Sequence, residues 1–211
     1  MEANPLPEVG GIGLYGGLVR VYNRIICNIM AGLNTKCNSI KSCALPDNAL
    51  LGAYIGNGNY TDCYVVDVNG SVSITEFVAV FYTTFVFKLE RTILRWFLAK
   101  PSTDSQAKLL AEGGSDSFTV WRVEGRLEDQ LLMSEIYGRT RSWFMVESCE
   151  MAGNKITRLY FGSAIIARQK SKQGKPGISI GFKMLLGFHK FYSRVLLYSA
   201  KRRLLRLLGS R

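Results

Sequence analysis

His189 is the single histidine of a 211-residue chain, and imidazole is the side chain best suited to moving a proton near neutral pH. Its segment, LLGFHKFYSRVLL, carries apolar residues at helical spacing. That spacing puts His189 with Leu185, Phe188, Tyr192 and Leu196 on one side, and Lys183, Lys190, Arg194 and Lys201 on the other. Facing a sheet, His189 would be a general base, a polar handle in a cavity, or a core histidine bonded to one neighbour. No Ser/His/Asp arrangement is assembled around it by spacing. A second group is Arg139-Thr-Arg141-Ser-Trp143-Phe-Met145. Strand periodicity places Arg139, Arg141, Trp143, Met145 and Glu147 on one face and Thr140, Ser142, Phe144 and Val146 on the other. Two arginines beside a tryptophan are unusual for a plain core. Together with Trp121 or Arg122, Glu124 and Glu135 on neighbouring runs, they would line a cavity in which arginine meets an acidic or carbonyl group of an amphiphile. The competing reading is an outer face with cross-strand Arg–Glu pairs of small net value. Both stand, because register is not legible in one sequence.

A third pattern, GIGLYG from Gly11 to Gly16, matches the dinucleotide-binding GxGxxG. That motif needs a strand before it, a helix after it and an acid roughly 20 residues on. Only ten residues precede Gly11, Pro5 and Pro7 interrupt them, and after Glu8 the next carboxylate is Asp47. The glycines are therefore expected to be a turn leading into a helix, and no nucleotide cofactor is expected. The five cysteines (Cys27, Cys37, Cys43, Cys63 and Cys149) contain no CxxC pair, so neither a zinc site nor a complete disulfide framework is indicated.

Charge is placed unevenly. Residues 151–211 hold fourteen basic side chains and no acid, against thirteen basic and sixteen acidic in residues 1–150. The excess is read either as a solvated face or as a surface for phosphates of lipid or nucleic acid. Its last stretch, KRRLLRLLGSR, alternates leucines with Arg202, Arg203 and Arg206, a pattern suited to peripheral contact with an anionic membrane. Arg20 and Arg24 break the longest apolar run, and Glu76 and Lys88 close the next, so no membrane span is expected. Glu2 and Glu8 stand where a signal peptide would carry positive charge, and a cytoplasmic location is expected. At this length and 47% hydrophobic content, one domain is the simplest organisation.

The elements that must position these residues follow a clear order. An amphipathic helix is expected over 18–33, then a loop over 34–48. A strand is expected over Tyr60–Val68, closed by Asn69-Gly70. Ser73-Ile-Thr-Glu76 matches a capping box, opening a helix that runs to about Ala99, where Pro101 stops it. Ser102 is expected to cap a short helix over Asp104–Glu112. Four strand-like runs follow, Phe118–Arg126, Gln130–Tyr137, Arg139–Cys149 and Ile156–Ala167, whose short links force antiparallel pairing. A long helix over about 181–208 ends the chain.

The segments DSFTVWRVEGRLEDQLLM, GRTRSWFMVE, TRLYFGSA and LLGFHKFYSRVLL resemble an uncharacterised, largely bacterial family of domains of unknown function. That family is associated with the START-like, polyketide-cyclase-like (SRPBCC) superfamily. The resemblance covers about residues 60–206 and implies an α+β helix-grip fold, with an antiparallel sheet curled around the C-terminal helix and residues 1–59 as an extension. It further implies a hydrophobic or amphiphilic ligand of lipid, sterol, quinone or polyketide type, held between sheet and helix. Tyr160, His189 and Tyr192 would join the arginine and tryptophan face as lining residues. A carrier is the leading expectation. A cyclase- or hydrolase-like enzyme using His189, Glu124 and Glu135 comes second and lacks a convincing nucleophile. A nucleic-acid module comes last, resting on charge alone.

Overall fold

The computed structural model describes residues 39–88, 102–151, 153–167 and 180–209, giving only the backbone for 180–188. The glycine motif at 11–16, the helix expected over 18–33, and the side chains of Leu185 and Phe188 lie outside the described residues. Among those described, seven strands form one antiparallel sheet: β1 (Lys41–Ser42), β2 (Tyr60–Asn69), β3 (Ser117–Phe118), β4 (Trp121–Arg126), β5 (Gln130–Glu135), β6 (Thr140–Met151) and β7 (Asn154–Ile165). Their order is β1-β2-β7-β6-β5-β4-β3. The helices are α1 (Ile74–Tyr82), α2 (Asp104–Ala111) and α3 (Ile180–Leu208). This is the α+β, helix-grip layout that the element order implied.

β3 to β7 form a meander because their links are too short for anything but hairpins. β2 then pairs along its whole length with β7, Tyr60 opposite Ile165 and Asn69 opposite Ile156. This brings the first long strand beside the last. Directly opposed residues share a face, so the registers sort the sheet. Phe144, Phe161 and Tyr64 align on one side, and Trp143, Gly162 and Cys63 on the other.

Helices cover the first side. Ser73 and Glu76 form the expected capping box of α1, which sends Phe77 and Phe81 into the sheet. Phe81 lies 4.8 Å from both Phe144 and Phe161, edge-on to the first and tilted against the second. The middle of this face, where a helix-grip cup would hold its ligand, is thus filled by aromatic rings. The helix does not run unbroken from Ser73 as the sequence suggested. It stops at Thr83, whose hydroxyl donates to the Ala79 carbonyl at 2.7 Å. Thr84 then accepts the Phe87 N–H through its side chain, restarting a turn over 85–88. These hydroxyls compete with the backbone for helical partners. The remainder of the expected helix, to Ala99, lies outside the described residues. At α2 the cap is Thr103 with Gln106 rather than Ser102. α3 lies over β2, beside α1, with Val195, Leu197 and Ala200 buried completely.

A strap of chain, residues 43–54, crosses the opposite face. It belongs to the segment assigned to an N-terminal extension, yet β1 pairs with β2 and a 3-10 helix, Leu50–Tyr54, seats Leu51 over Trp143, both fully buried. A Cβ at residue 162 would come within 2.9 Å of the Asp62 carbonyl and of Leu51 Cδ2, so glycine there lets the strap close. Gln130 pins it: Oε1 accepts the Leu50 N–H at 3.0 Å and the Trp143 indole N–H at 2.8 Å, while Nε2 donates to the Asn48 carbonyl at 3.0 Å.

Candidate functional site

Two clefts open at the β1–β2 edge. One, of about 400 Å³, is lined by Lys41, Cys43, Val65, Asp67, Arg158 and Tyr160. Its arginine is ion-paired. Arg158 Nε meets Asp67 at 2.9 Å, which keeps the guanidinium firmly protonated, and Tyr160 donates to Glu147 at 2.8 Å. Burial, helped by that bond to Glu147, pushes the Tyr160 phenol up to about 12.

The other cleft, of about 480 Å³, lies between the first half of β2 and the middle of α3. Alternation along β2 turns Tyr60, Asp62 and Tyr64 toward the helix, and α3 answers with His189, Lys190 and Arg194. The cations here are held by aromatic faces more than by acids. Lys190 Nζ lies 5.5 Å from the Tyr60 ring centroid and Arg194 Cζ 5.9 Å from that of Tyr64. Arg194 also donates to the Ile40 carbonyl at 3.0 Å, while its buried Nε has no hydrogen-bond partner among the described residues. Asp62 is the one carboxylate lining the cleft. It accepts from Tyr60 at 3.1 Å and Tyr64 at 3.4 Å. Burial first, and then the Asp62 charge, raise the pKa of both phenols.

Asp62 also reaches inward. Its Oδ1 lies 2.5 Å from Ser163 Oγ, which lies 2.6 Å from His189 Nε2. The three residue types of a hydrolase triad are present, but serine stands in the middle. A carboxylate only accepts, so the single hydroxyl proton goes to Asp62, and His189 Nε2–H donates to the serine oxygen. Histidine thus donates a hydrogen bond to serine instead of accepting one, the reverse of the arrangement that activates a nucleophile. Burial lowers the His189 pKa, which favours the neutral ring in this relay.

The residues expected to line one cavity fall into separate places. His189 stands behind the cleft against Ser163, and Tyr192 is buried on the same helix. Trp143 packs beneath the strap on the other face. Arg141 and Glu124 form an ion pair at 2.7 Å on that face, joined by the Tyr54 hydroxyl, which donates to Glu124 and accepts from Arg141. Tyr160 lines the smaller cleft. Trp121 and Glu135 pair across β4–β5 at the far end of the sheet, and Arg139 is exposed in the following turn, its N–H 3.5 Å from the Glu135 carboxylate. The β5–β6 face is therefore an ion-paired outer face at Arg141 and a packed core at Trp143. Arg194, assigned by periodicity to the solvated side of α3, is instead half-buried against Tyr64.

Sequence reasoning missed Asp62, Ser163, Tyr60 and Tyr64. The alternating Tyr-Thr-Asp-Cys-Tyr of β2 was the available signal for three of them. No group of His, Cys, Asp and Glu side chains suited to a metal occurs among the described residues. The chain matches no protein-family model and no curated protein sequence.

Proposed function

We propose that this protein binds an amphiphilic small molecule with an anionic head, a carboxylate or phosphate, in the cleft between β2 and α3. The observation that carries this reading is the pairing of two cations with two tyrosine rings around one carboxylate, with the Arg194 Nε unpartnered among the described residues. The cleft thereby keeps positive charge, while Phe191, Tyr60 and Tyr64 supply apolar surface. An anion can meet the Lys190 and Arg194 cations, and a chain or ring system can lie along the aromatic faces. The Ser163–His189 relay behind the cleft holds Asp62 in place and offers no nucleophile, which favours a binding role over hydrolysis. Titration with a long-chain carboxylate and with the alcohol of the same chain length tests it. The acid should bind at least tenfold more tightly, and Arg194→Gln should remove about that factor, the equivalent of a charged hydrogen bond of about 1.5 kcal/mol. Equal affinity for acid and alcohol would sink the anionic head, and no saturable binding of either would sink the site.

A peripheral membrane role is a second proposal. Among the described residues no helix is long and apolar enough to cross a membrane. The end of α3 nevertheless exposes Leu205 and Leu207 next to Arg206, and Arg202 and Arg206 are exposed as well.

A further inference from the structure

Cys43 and Cys63 oppose each other where the strap leaves the sheet. Lys41 pairs with Val65 and Ser42 with Tyr64. The same register carried one residue further sets Cys43 opposite Cys63, and the Cys43 N–H donates to the Cys63 carbonyl at 3.1 Å. Opposed residues of an antiparallel ladder have Cα atoms about 4.5–5.5 Å apart, inside the roughly 4.4–6.8 Å that disulfides span. The two sulfur atoms already touch at 3.3 Å, and both thiols are free.

We infer that Cys43 and Cys63 are an oxidisable pair, which a small disulfide of the oxidised-glutathione class converts into an intramolecular cross-strand disulfide. The two thiols have different parts. Cys43 is half-buried and lines both clefts, so a reagent reaches it. Cys63 borders only the larger cleft and is 2% exposed, so it is the less accessible of the two. Hydrogen bonding between the two thiols lowers the Cys43 pKa against the effect of burial, and the same contact, with burial, raises that of Cys63. Cys43 is thus the attacking thiolate. Its sulfur bonds to one sulfur of the reagent and expels a glutathione thiolate. Cys63 then gives its proton to water, attacks Cys43 Sγ, and expels the second glutathione. One disulfide has become two glutathione thiols, and two cysteine thiols have become one disulfide. The new bond ties the first residue of the strap to β2, in the wall the two clefts share.

The test is independent of any ligand. The full-length reduced protein is incubated with oxidised glutathione under native conditions, remaining thiols are alkylated, and peptides are mapped by mass spectrometry. The expected product joins the Cys43 and Cys63 peptides, and dithiothreitol reverses it. Cys63→Ala should instead accumulate glutathione on Cys43, with no cross-link, and Cys149→Ser should behave as the parent. The inference is overturned if glutathione stays on Cys43 in the parent, if Cys43 joins another cysteine, or if both thiols remain alkylatable in excess oxidant.

Discussion

Burial lowers the pKa of His189 below its ordinary value of 6.5, against the opposing pull of the Asp62 charge. The unfolded chain then binds the proton more readily than the folded one, so the neutral ring's contribution to stability is complete above about pH 6.5. It is lost as pH falls from there toward the lower folded value, at no more than about 1.4 kcal/mol per pH unit for one proton. His189→Gln keeps a donor for Ser163 but cannot titrate. Urea midpoints taken at pH 7.5 and 5.5 should fall further for the parent than for this variant, and parallel losses would show that His189 does not report on folding. The partners of His189 illustrate what one sequence withholds. Asp62 and Ser163 stand 101 residues apart, and only the β2–β7 register makes them neighbours. Helical periodicity predicted that His189 faces the sheet; it had no means of saying which strand residues would meet it.

Local signals served well where an element is decided by its own residues. The capping box at Ser73–Glu76 is present as written, and the four strand-like runs became β3 to β7, the first split by a turn at Thr119–Val120 and the others with ends displaced by a few residues. They failed where tertiary packing decides: β1 is two residues long, and the strap takes its conformation from Gln130 and Leu51, not from any periodicity of its own. The end of α3 is an intermediate case. Its leucines and arginines alternate, but the fold divides them. Leu204 is buried, and Arg203 donates to the Thr83 carbonyl at the end of α1, the place where a cation is favoured by a helix dipole. Arg202, Arg206, Leu205 and Leu207 are left for a surface. If they meet anionic lipid, the double change Arg202→Gln/Arg206→Gln removes two cations worth about 1 kcal/mol each, and sedimentation with anionic vesicles should weaken roughly 30-fold. Arg203→Gln should chiefly lower the melting temperature. Indifference of binding to the double change, or equal binding to neutral vesicles, would count decisively against membrane contact.

At the scale of the described molecule the two faces of the sheet are covered by different means, helices on one and, over part of the other, an unperiodic strap, and the ligand-sized openings described above lie along the β1–β2 edge. Gln130 is the joint on which the strap depends. It is 1% exposed and serves three backbone or side-chain groups, the Leu50 N–H, the Asn48 carbonyl and the Trp143 indole N–H. Gln130→Leu preserves volume and removes every one of those bonds. A buried polar group left without a partner costs about 1–3 kcal/mol, but the strap ends can turn to water, so the three losses should not sum fully, and a destabilisation of about 3 kcal/mol is expected. The character of the damage is more informative than its size. With the strap released, Trp143 should gain solvent and its fluorescence shift to longer wavelength at denaturant concentrations where the parent is unchanged. Amide exchange should accelerate at Leu50–Tyr54 while Phe144 and Phe161, whose rings lie under α1, keep their protection. Uniform acceleration at all these amides, with a single unfolding transition and no early fluorescence shift, would mean that the strap and the helix layer fold as one unit, and that Gln130 stabilises the whole sheet, not only one face of it.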